Sequence, residues 1–488
     1  MTGTTDHAVD LFADYDADRF FDELVRPADG TGGSLTGLIR RRLCEMGLDT
    51  LHERSQDAEN ELFNLGITFL IYAENQAVDR ILPFDVIPRI ITPDEWRHLH
   101  DGTVQRVTAL NQFLHDIYHD QHLFKDGIVP EDLVLGNENY VPAMKGLAVK
   151  YDSYVNILGI DLVRDAEGTF RVLEDNCRVP SGVSYVVENR HLMQRAFPDL
   201  MSDIGVKSVT DYGRKLHEAL CEMAPEGVPY PQVVLLSPGT YNSAYFEHVF
   251  LAREMGVPLV EGSDLVVEDD KVYMKTITGL SPVHSIYRRL GDDFLDPEAF
   301  NPESLLGVPG IMRAYAKGNV ALANAVGTGV ADDKAIYAYM PRLIKYYLDQ
   351  DPILESVPTH ICRERDGLQY TLDHLDELVV KPVGEAGGYG IVIGPKATEE
   401  QLDACRDSLL ADPSNYISQP LVPLSVSPTL TDDGIEPRHV DLRPFCITGQ
   451  SSWVLPGGLT RVALRKGSLI VNSSQGGGSK DSWVLEGS

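Results

Sequence analysis

The sequence predicts an α/β (α+β) protein of several domains, and three observations predict it. Residues 231–330 alternate strand-like apolar runs with a helical pattern. Residues 147–176 read as a β-hairpin. A glycine-rich loop at 384–390 joins one strand-like run to another rather than a strand to a helix. With 488 residues, 43% of them apolar, the chain is long enough for about two to four domains, each with its own core.

Residues 1–125 read as mainly helical. LHERSQDAENELFNLG (51–66) spaces its apolar positions. In 93–121, Trp96, Leu99, Val107, Leu110, Leu114 and Ile117 recur at three- and four-residue steps. Pro93 suits a first helical turn. LAVKYDSYVNILGIDLVRD and TFRVLEDN, with DAEG between them, read as the hairpin. In 231–330, QVVLLSP reads as a buried strand and YNSAYFEHVFLAREMG as a helix stopped by Gly256. VPLVEG and HSIYRRL read as further strands, and DLVVEDDKVYMK as a hairpin. DDKAIYAYMPRLIKYYL reads as a helix that Pro341 kinks or splits, followed by strand LVVKPV. Thr398 with Gln401 is a capping-box signature for the next helix. The tail, 438–485, is again strand-rich.

Lys and Arg total 42 against 73 Asp and Glu, a net charge of -31. Such a chain repels nucleic-acid backbones, and any phosphate site must gather its own positive charge. Cys44, Cys177, Cys221, Cys362, Cys405 and Cys446 form no CxxC pair and read as reduced thiols. The acidic start lacks the apolar core of a signal peptide, and no apolar run reaches the ~18 residues of a membrane span. The expectation is a soluble cytoplasmic protein, without nucleic acid or membrane as partner.

The glycine loop, ELVVKPVGEAGGYGIVIG, carries Gly384, Gly387, Gly388 and Gly390. Phosphate-binding Walker and Rossmann loops lead from a strand into a helix. Here the second run is IVIG, and no Lys-Ser/Thr follows the glycines. The reading is a β-loop-β flap whose N–H groups cover phosphates. Lys381, on the strand before it, can reach the same phosphates. A plain tight hairpin with an exposed lysine is the bland alternative.

Glu174 and Asn176 lie two apart on one strand and therefore share a face. With an even loop turning about Glu167-Gly168, opposed residues sum to 335: Val163 with Val172, Leu162 with Leu173, Asp161 with Glu174. That gathers Asp161, Glu174 and Asn176 as hard oxygen ligands, suited to Mg²⁺ held jointly with nucleotide phosphates. An odd loop weakens this register. A solvated edge hairpin is the commoner fate of such residues, but the flanks NILGI and RVL are apolar and Arg178 follows at once. Arg178 and Pro180-Ser181-Gly182 are phosphate-contact candidates. Cys177 reads as packing.

Several long segments together resemble the circularly permuted ATP-grasp family, type 2, related to the synthetase domain of glutathionylspermidine synthase. They are RILPFDVIPRIITPDEWRHLHDGTVQRVTALNQFLHDIYHDQ, EDNCRVPSGVSYVVENR, SPGTYNSAYFEHVFLAREMGVPLVEG, GVADDKAIYAYMPRLIKYYL, VVKPVGEAGGYG and NSSQGGGSKDSWVL. The resemblance covers most of the chain. It implies a circularly permuted ATP-grasp fold: a helical region at 1–125, the metal-binding half at 126–230, an inserted Rossmann-like pre-grasp substrate domain at 231–330, and the nucleotide-binding half with its flap at 331–488. By that similarity Lys381 and the flap glycines Gly387, Gly388 and Gly390 meet ATP phosphates, Lys334 is the second nucleotide lysine, and Gln419 to Leu421 meet adenine largely through backbone. Pro420 departs from the usual Gln-Glu hinge. Asp161, Glu174 and Asn176 hold Mg²⁺. Arg178 helps neutralise phosphate charge, and Arg443 and Arg461 face acyl-phosphate and tetrahedral oxygens. Asn472 follows Arg461 in the family order and is a substrate candidate, with a turn-satisfying role as the bland alternative. The run GGGSK at 476–480 reads as a second anion-binding loop rather than a flexible link, because Trp483 and Val484 resume a strand after it. The loop SPGTYNSA offers Tyr241, Asn242 and Ser243 to substrate, as do Arg288 and Arg289.

The implied reaction is ATP-dependent carboxylate–amine ligation through an acyl-phosphate, with ATP and Mg²⁺ as cofactors and small-molecule or peptide carboxylates and amines as substrates. No protein nucleophile is required. A catalytically weak ATP-binding or scaffold protein of the same fold is the alternative. An amidase half like that of glutathionylspermidine synthase is not expected, since the N-terminal region holds only Cys44.

Overall fold

A computed structural model describes residues 10–25, 33–73, 76–383, 390–468, 471 and 477–487. Gly384, Gly387, Gly388, Asn472 and Gly476 lie outside the described residues.

The helices fall where the apolar spacing put them. Pro93–Tyr118 opens with a capping box, Thr92 accepting from the Glu95 N–H while Glu95 accepts from that of Thr92, and with Pro93 in its first turn. Its apolar side, from Trp96 to Ile117, is buried. The helix Lys334–Leu348 carries Pro341 inside it without being split. Glu399–Ala411 has the capping box of Thr398 and Gln401. The helix Tyr245–Met255 ends on Gly256 at φ 68°, the left-handed cap that glycine supplies without strain.

The expectation of a mainly helical start needs one correction. Gly33–Met46 and Leu48–Asn64 are helices, but Thr68–Ala73 and Gln76–Ile81 form a hairpin, and Phe84–Ile91 is a strand of the main sheet. FDVIPRII is rich in branched residues, and all eight are buried. Pro88 obscured it. Proline is tolerated there because this strand ends the order of the main sheet, with Gly478–Val484 as its only described neighbour.

That main sheet has ten strands among the described residues. Its central order is Glu355–Ser356, Phe170–Asn176, Ile157–Arg164, Gly434–Arg443, Leu459–Val462, Gly478–Val484, Phe84–Ile91. Segments far apart in sequence are therefore neighbours: Leu442 pairs with Leu162, and Phe445 with Gly159. A four-stranded sheet, His360–Ile361, Tyr416–Pro420, Leu378–Pro382 and Val392–Ile393, carries the flap. A third sheet, from Val233–Leu236, Leu259–Val260, Ser285–Arg288 and Ala321–Ala323, is wholly parallel. A three-stranded antiparallel meander, 265–283, is inserted in it. Among the described residues no helix is long and apolar enough to cross a membrane.

The hairpin register is partly as expected. Asp161 opposes Glu174 and Gly159 opposes Asn176, but Leu162 opposes Val172 and Val163 opposes Arg171. The loop is odd, residues 165–169, with Gly168 at φ 86° and its N–H on the Asp165 carbonyl. Leu173 is then the extra residue of a β-bulge. The odd loop displaces the register by one, and the bulge restores it at the carboxylates.

Candidate active site

Four charged side chains share one face of the main sheet. Asp441 and Arg461 are register partners, Arg443 lies two residues beyond Asp441, and Asp161 comes from the adjoining strand. Arg443 grips Asp161 with both prongs of its fork, Nε to Oδ1 at 2.5 Å and Nη2 to Oδ2 at 2.9 Å. Arg461 donates to Asp161 Oδ2 at 2.6 Å and through Nε to both Asp441 oxygens at 3.0 Å. Burial alone would raise the Asp161 pKa, but Arg443 and Arg461 together hold it well below the usual carboxylate range. Asp441, buried more completely than its arginine compensates, is raised.

Glu174 differs. Burial, with the Asp161 charge next, pushes it up to about 7. Asn176 donates through Nδ2 to the Gly159 carbonyl at 3.2 Å, leaving its side-chain oxygen as an acceptor. No group of three or more His, Cys, Asp or Glu suited to a metal occurs among the described residues. The set on hand is two carboxylates and a carboxamide, with Asp161 and Glu174 register partners on adjoining strands. These donors fit a hard divalent cation that shares its shell with phosphate oxygens.

Lys381 reaches the same region from the flap sheet. Burial lowers its pKa to about 8, with the Glu174 charge opposing that shift and Lys334 adding to it. The cationic groups at 381 and 334 and the carboxyl at 174 therefore feel one another across two sheets. Lys334 is the first residue of its helix, next to the N-cap Asp333, whose side chain accepts from the Ala335 N–H at 2.7 Å. Lys381 Nζ donates to Gln419 Oε1 at 2.6 Å. The strand Leu378–Pro382 pairs antiparallel with Val392–Ile393, so the glycine loop does join two strands. Gly390, at φ 68°, presses against Pro382, where an added Cβ would come within 2.8 Å. Leu421 follows directly on Tyr416–Pro420.

Arg178 is organised differently from the expectation. Its Nε donates to Asp332 Oδ2 at 2.5 Å and its Nη1 to Asn139 Oδ1 at 3.3 Å, while Asp332 also accepts from the N–H groups of Cys177 and Arg178. Asp332 stands two residues before Lys334, so one short segment serves both cations.

Two candidate substrate residues, Arg288 and Arg289, are tied into the surrounding framework. Arg288 is buried, with its guanidinium on the carbonyls of Asn324, Leu290 and Ala325 and on Asp292. Arg289 bonds Pro180 O, Tyr287 and Glu247. Glu247 in turn accepts from the N–H groups of Gly182 and Ser184. This bolts the parallel sheet to the loop behind Arg178. Asn242 turns its own loop by accepting from the Ala244 N–H at 2.9 Å. Tyr241 is 86% exposed and Ser243 half-buried. Arg461, 7% exposed and with its Nε and Nη2 engaged, braces two carboxylates, and Arg443 Nη1 makes a longer bond, 3.2 Å, to Ser181 O.

Sequence reasoning missed Asp332, Asn139, Glu247 and Thr359. Each acts across more than thirty residues, and nothing in its local pattern announces it.

A family model described as circularly permuted ATP-grasp type 2 matches residues 88–463. An uncharacterized protein of Synechocystis sp. is 52% identical over 475 residues, covering 97% of this chain and 98% of that one. A putative glutamate–cysteine ligase 2-3 of Frankia alni is 45% identical over 450 residues, covering 91% of this chain but 52% of its own length. The solved structure of a glutathione synthetase-like effector from Globodera pallida superposes with a TM-score of 0.58 at 11% identity, over 90% of this chain and 98% of that one, a likeness of fold. On the extent of the family match and the near full-length relatives, the chain belongs to the circularly permuted ATP-grasp family, type 2.

Proposed function

We propose that the protein is an ATP-dependent carboxylate–amine ligase that works through an acyl-phosphate. The observation that supports this reading is the bonded line from Lys381 through Gln419 and Thr359 to Val357, whose N–H is on the Val172 carbonyl of the strand that carries Glu174, beside the Asp161–Arg443 pair. In this reading 126–230 is the metal-binding half, 331–488 the nucleotide half, and 231–330 a Rossmann-like pre-grasp domain on the substrate side. Lys381 and Lys334 neutralise nucleotide phosphates, with the flap closing over them. Asp161, Glu174 and Asn176 would hold Mg²⁺, which supplies charge neutralisation at the transferring phosphoryl group. A substrate carboxylate attacks the γ-phosphorus, and ADP leaves. An amine attacks the resulting acyl carbon, and phosphate leaves. Arg443 faces the developing oxyanion. Closure keeps water from the acyl-phosphate. Arg178, locked on Asp332, fixes the loop that follows the carboxylate strand.

The Frankia relative carries the name of a glutamate–cysteine ligase, which makes glutamate and cysteine the first pair to test. A matrix of amino acids and polyamines is assayed for ADP release, with Glu174→Ala as the blank. The reading requires ADP release that depends on one acid and one amine, with an amide product of the summed mass less water. ATP turnover indifferent to every acid and amine, or none at all, sinks it.

A further inference from the structure

The hinge residue Gln419 has its side chain turned away from the role its position suggests. It and Lys381 are diagonal neighbours on one face of the flap sheet, where Lys381 pairs with Ile417 and Gln419 with Val379. Lys381 Nζ donates to Gln419 Oε1 at 2.6 Å, and Gln419 Nε2 donates to Thr359 Oγ1 at 2.9 Å. Thr359 Oγ1 donates in its turn to the Val357 carbonyl at 2.8 Å.

The direction of this chain is forced from its far end. A hydroxyl has one proton, and the Val357 carbonyl can only accept, so Thr359 gives its proton there. Its remaining lone pairs accept from the amide of Gln419. That fixes Nε2 toward Thr359 and leaves Oε1 toward the ammonium. The reversed amide would set an NH₂ against a cation. Val357 is itself fixed, since its N–H donates to the Val172 carbonyl at 2.9 Å, on the strand that carries Glu174. The lysine of the nucleotide half is thus held at a set distance from the carboxylates of the other half through Gln419, Thr359 and Val357. A lysine side chain loses much rotamer freedom when ordered, so a partner that orders it beforehand strengthens whatever it then binds.

We infer that Gln419, oriented by Thr359, is a positioning residue for Lys381: its side chain sets the phosphate-binding end of the site, and base recognition at 419–421 is left to backbone groups. This rests on the reading that Lys381 meets nucleotide phosphates. Among the described residues, one ammonium donor is committed to Gln419.

ADP and adenosine separate the roles, because only ADP has phosphates for Lys381. Their affinities are measured by titration calorimetry on the full chain as wild type, Gln419→Met, Thr359→Val and Thr359→Ser. Gln419→Met should weaken ADP about tenfold, the size of one hydrogen bond to a charged group, and leave adenosine within about twofold. Thr359→Val should act in the same direction with a smaller loss, and Thr359→Ser, which keeps the hydroxyl, should retain wild-type ADP affinity. Because the comparison is between two ligands on one protein, a partly unfolded preparation lowers both alike and does not mimic the expected split. Equal losses for ADP and adenosine, no loss for either, or a Thr359→Ser variant as weak as Thr359→Val overturns the inference. A wild-type protein that binds no ADP overturns the underlying ligase reading instead.

Discussion

Asp161 and Glu174 stand directly opposite each other on two antiparallel strands, and Arg443 and Arg461 both turn to Asp161. Burial and the Asp161 charge push the Glu174 carboxyl up to about 7. Glu174→Gln copies the protonated form in shape and removes the negative charge that would offset a cation. ADP release should fall at least about 100-fold, the upper range for loss of a group that only supports a metal's ligands, while the thermal midpoint stays close to wild type. A Glu174→Gln variant with wild-type turnover removes Glu174 from the metal set.

The same carboxyl gives stability a pH dependence. Its folded pKa, about 7, lies above the ordinary 4.5, so between those values the native state binds more protons than the unfolded chain. The contribution is full below about pH 4.5 and is lost as pH rises through about 7. The thermal midpoint of the nucleotide-free protein should therefore decline across that window more steeply than that of Glu174→Gln. Parallel curves for the two proteins would refute the assignment.

Lys381 titrates in the opposite sense. Burial brings it to about 8, so its ammonium, complete below that pH, is progressively lost above it. ADP affinity should fall as pH rises through about 8. Lys381→Met should bind ADP at least about tenfold more weakly at neutral pH and show no such limb. The check is the ADP dissociation constant across about pH 6.5–9.5, roughly 1.5 units either side of the lysine pKa.

Arg288 should behave as framework. Arg288→Ala leaves Asp292 and three carbonyls without their donor, and the expected cost is about 3–5 kcal/mol of unfolding free energy, as for other broken buried pairs. Chemical denaturation measures it. Whatever fraction of the variant is folded should bind ADP with wild-type affinity; a selective loss of binding would return Arg288 to the site.

Much of the fold is legible from short-range pattern. Pro93, and Thr398 with Gln401, announce helix starts because first-turn and capping preferences are settled within four residues. Glu174 and Asn176 announce a shared face because strand alternation is equally local. The Asp161–Glu174 pairing agrees with an even-loop register only because two departures from it cancel: the loop is odd, and Leu173 bulges. A bulge depends on neighbouring strands and leaves no local mark. The strand Phe84–Ile91 is hidden by Pro88, whose acceptability depends on standing at the end of the sheet. Arg178 with Asp332, and Lys381 with Gln419, are partners made by topology, and residue type says only that each needs a counterpart.

The pairing of Ile157–Arg164 with Gly434–Arg443 bears on how the molecule is made. A ribosome that has delivered the chain only as far as the flap sheet has produced Asp161 without either of its guanidinium neighbours. Its buried negative charge then has nothing to offset it, and the central strand has an open flank. Non-local closure of this kind comes late. Pairing of the central strand and of Asp161 thus waits on the segments 434–443 and 459–462, and a chain interrupted before them leaves both without these partners.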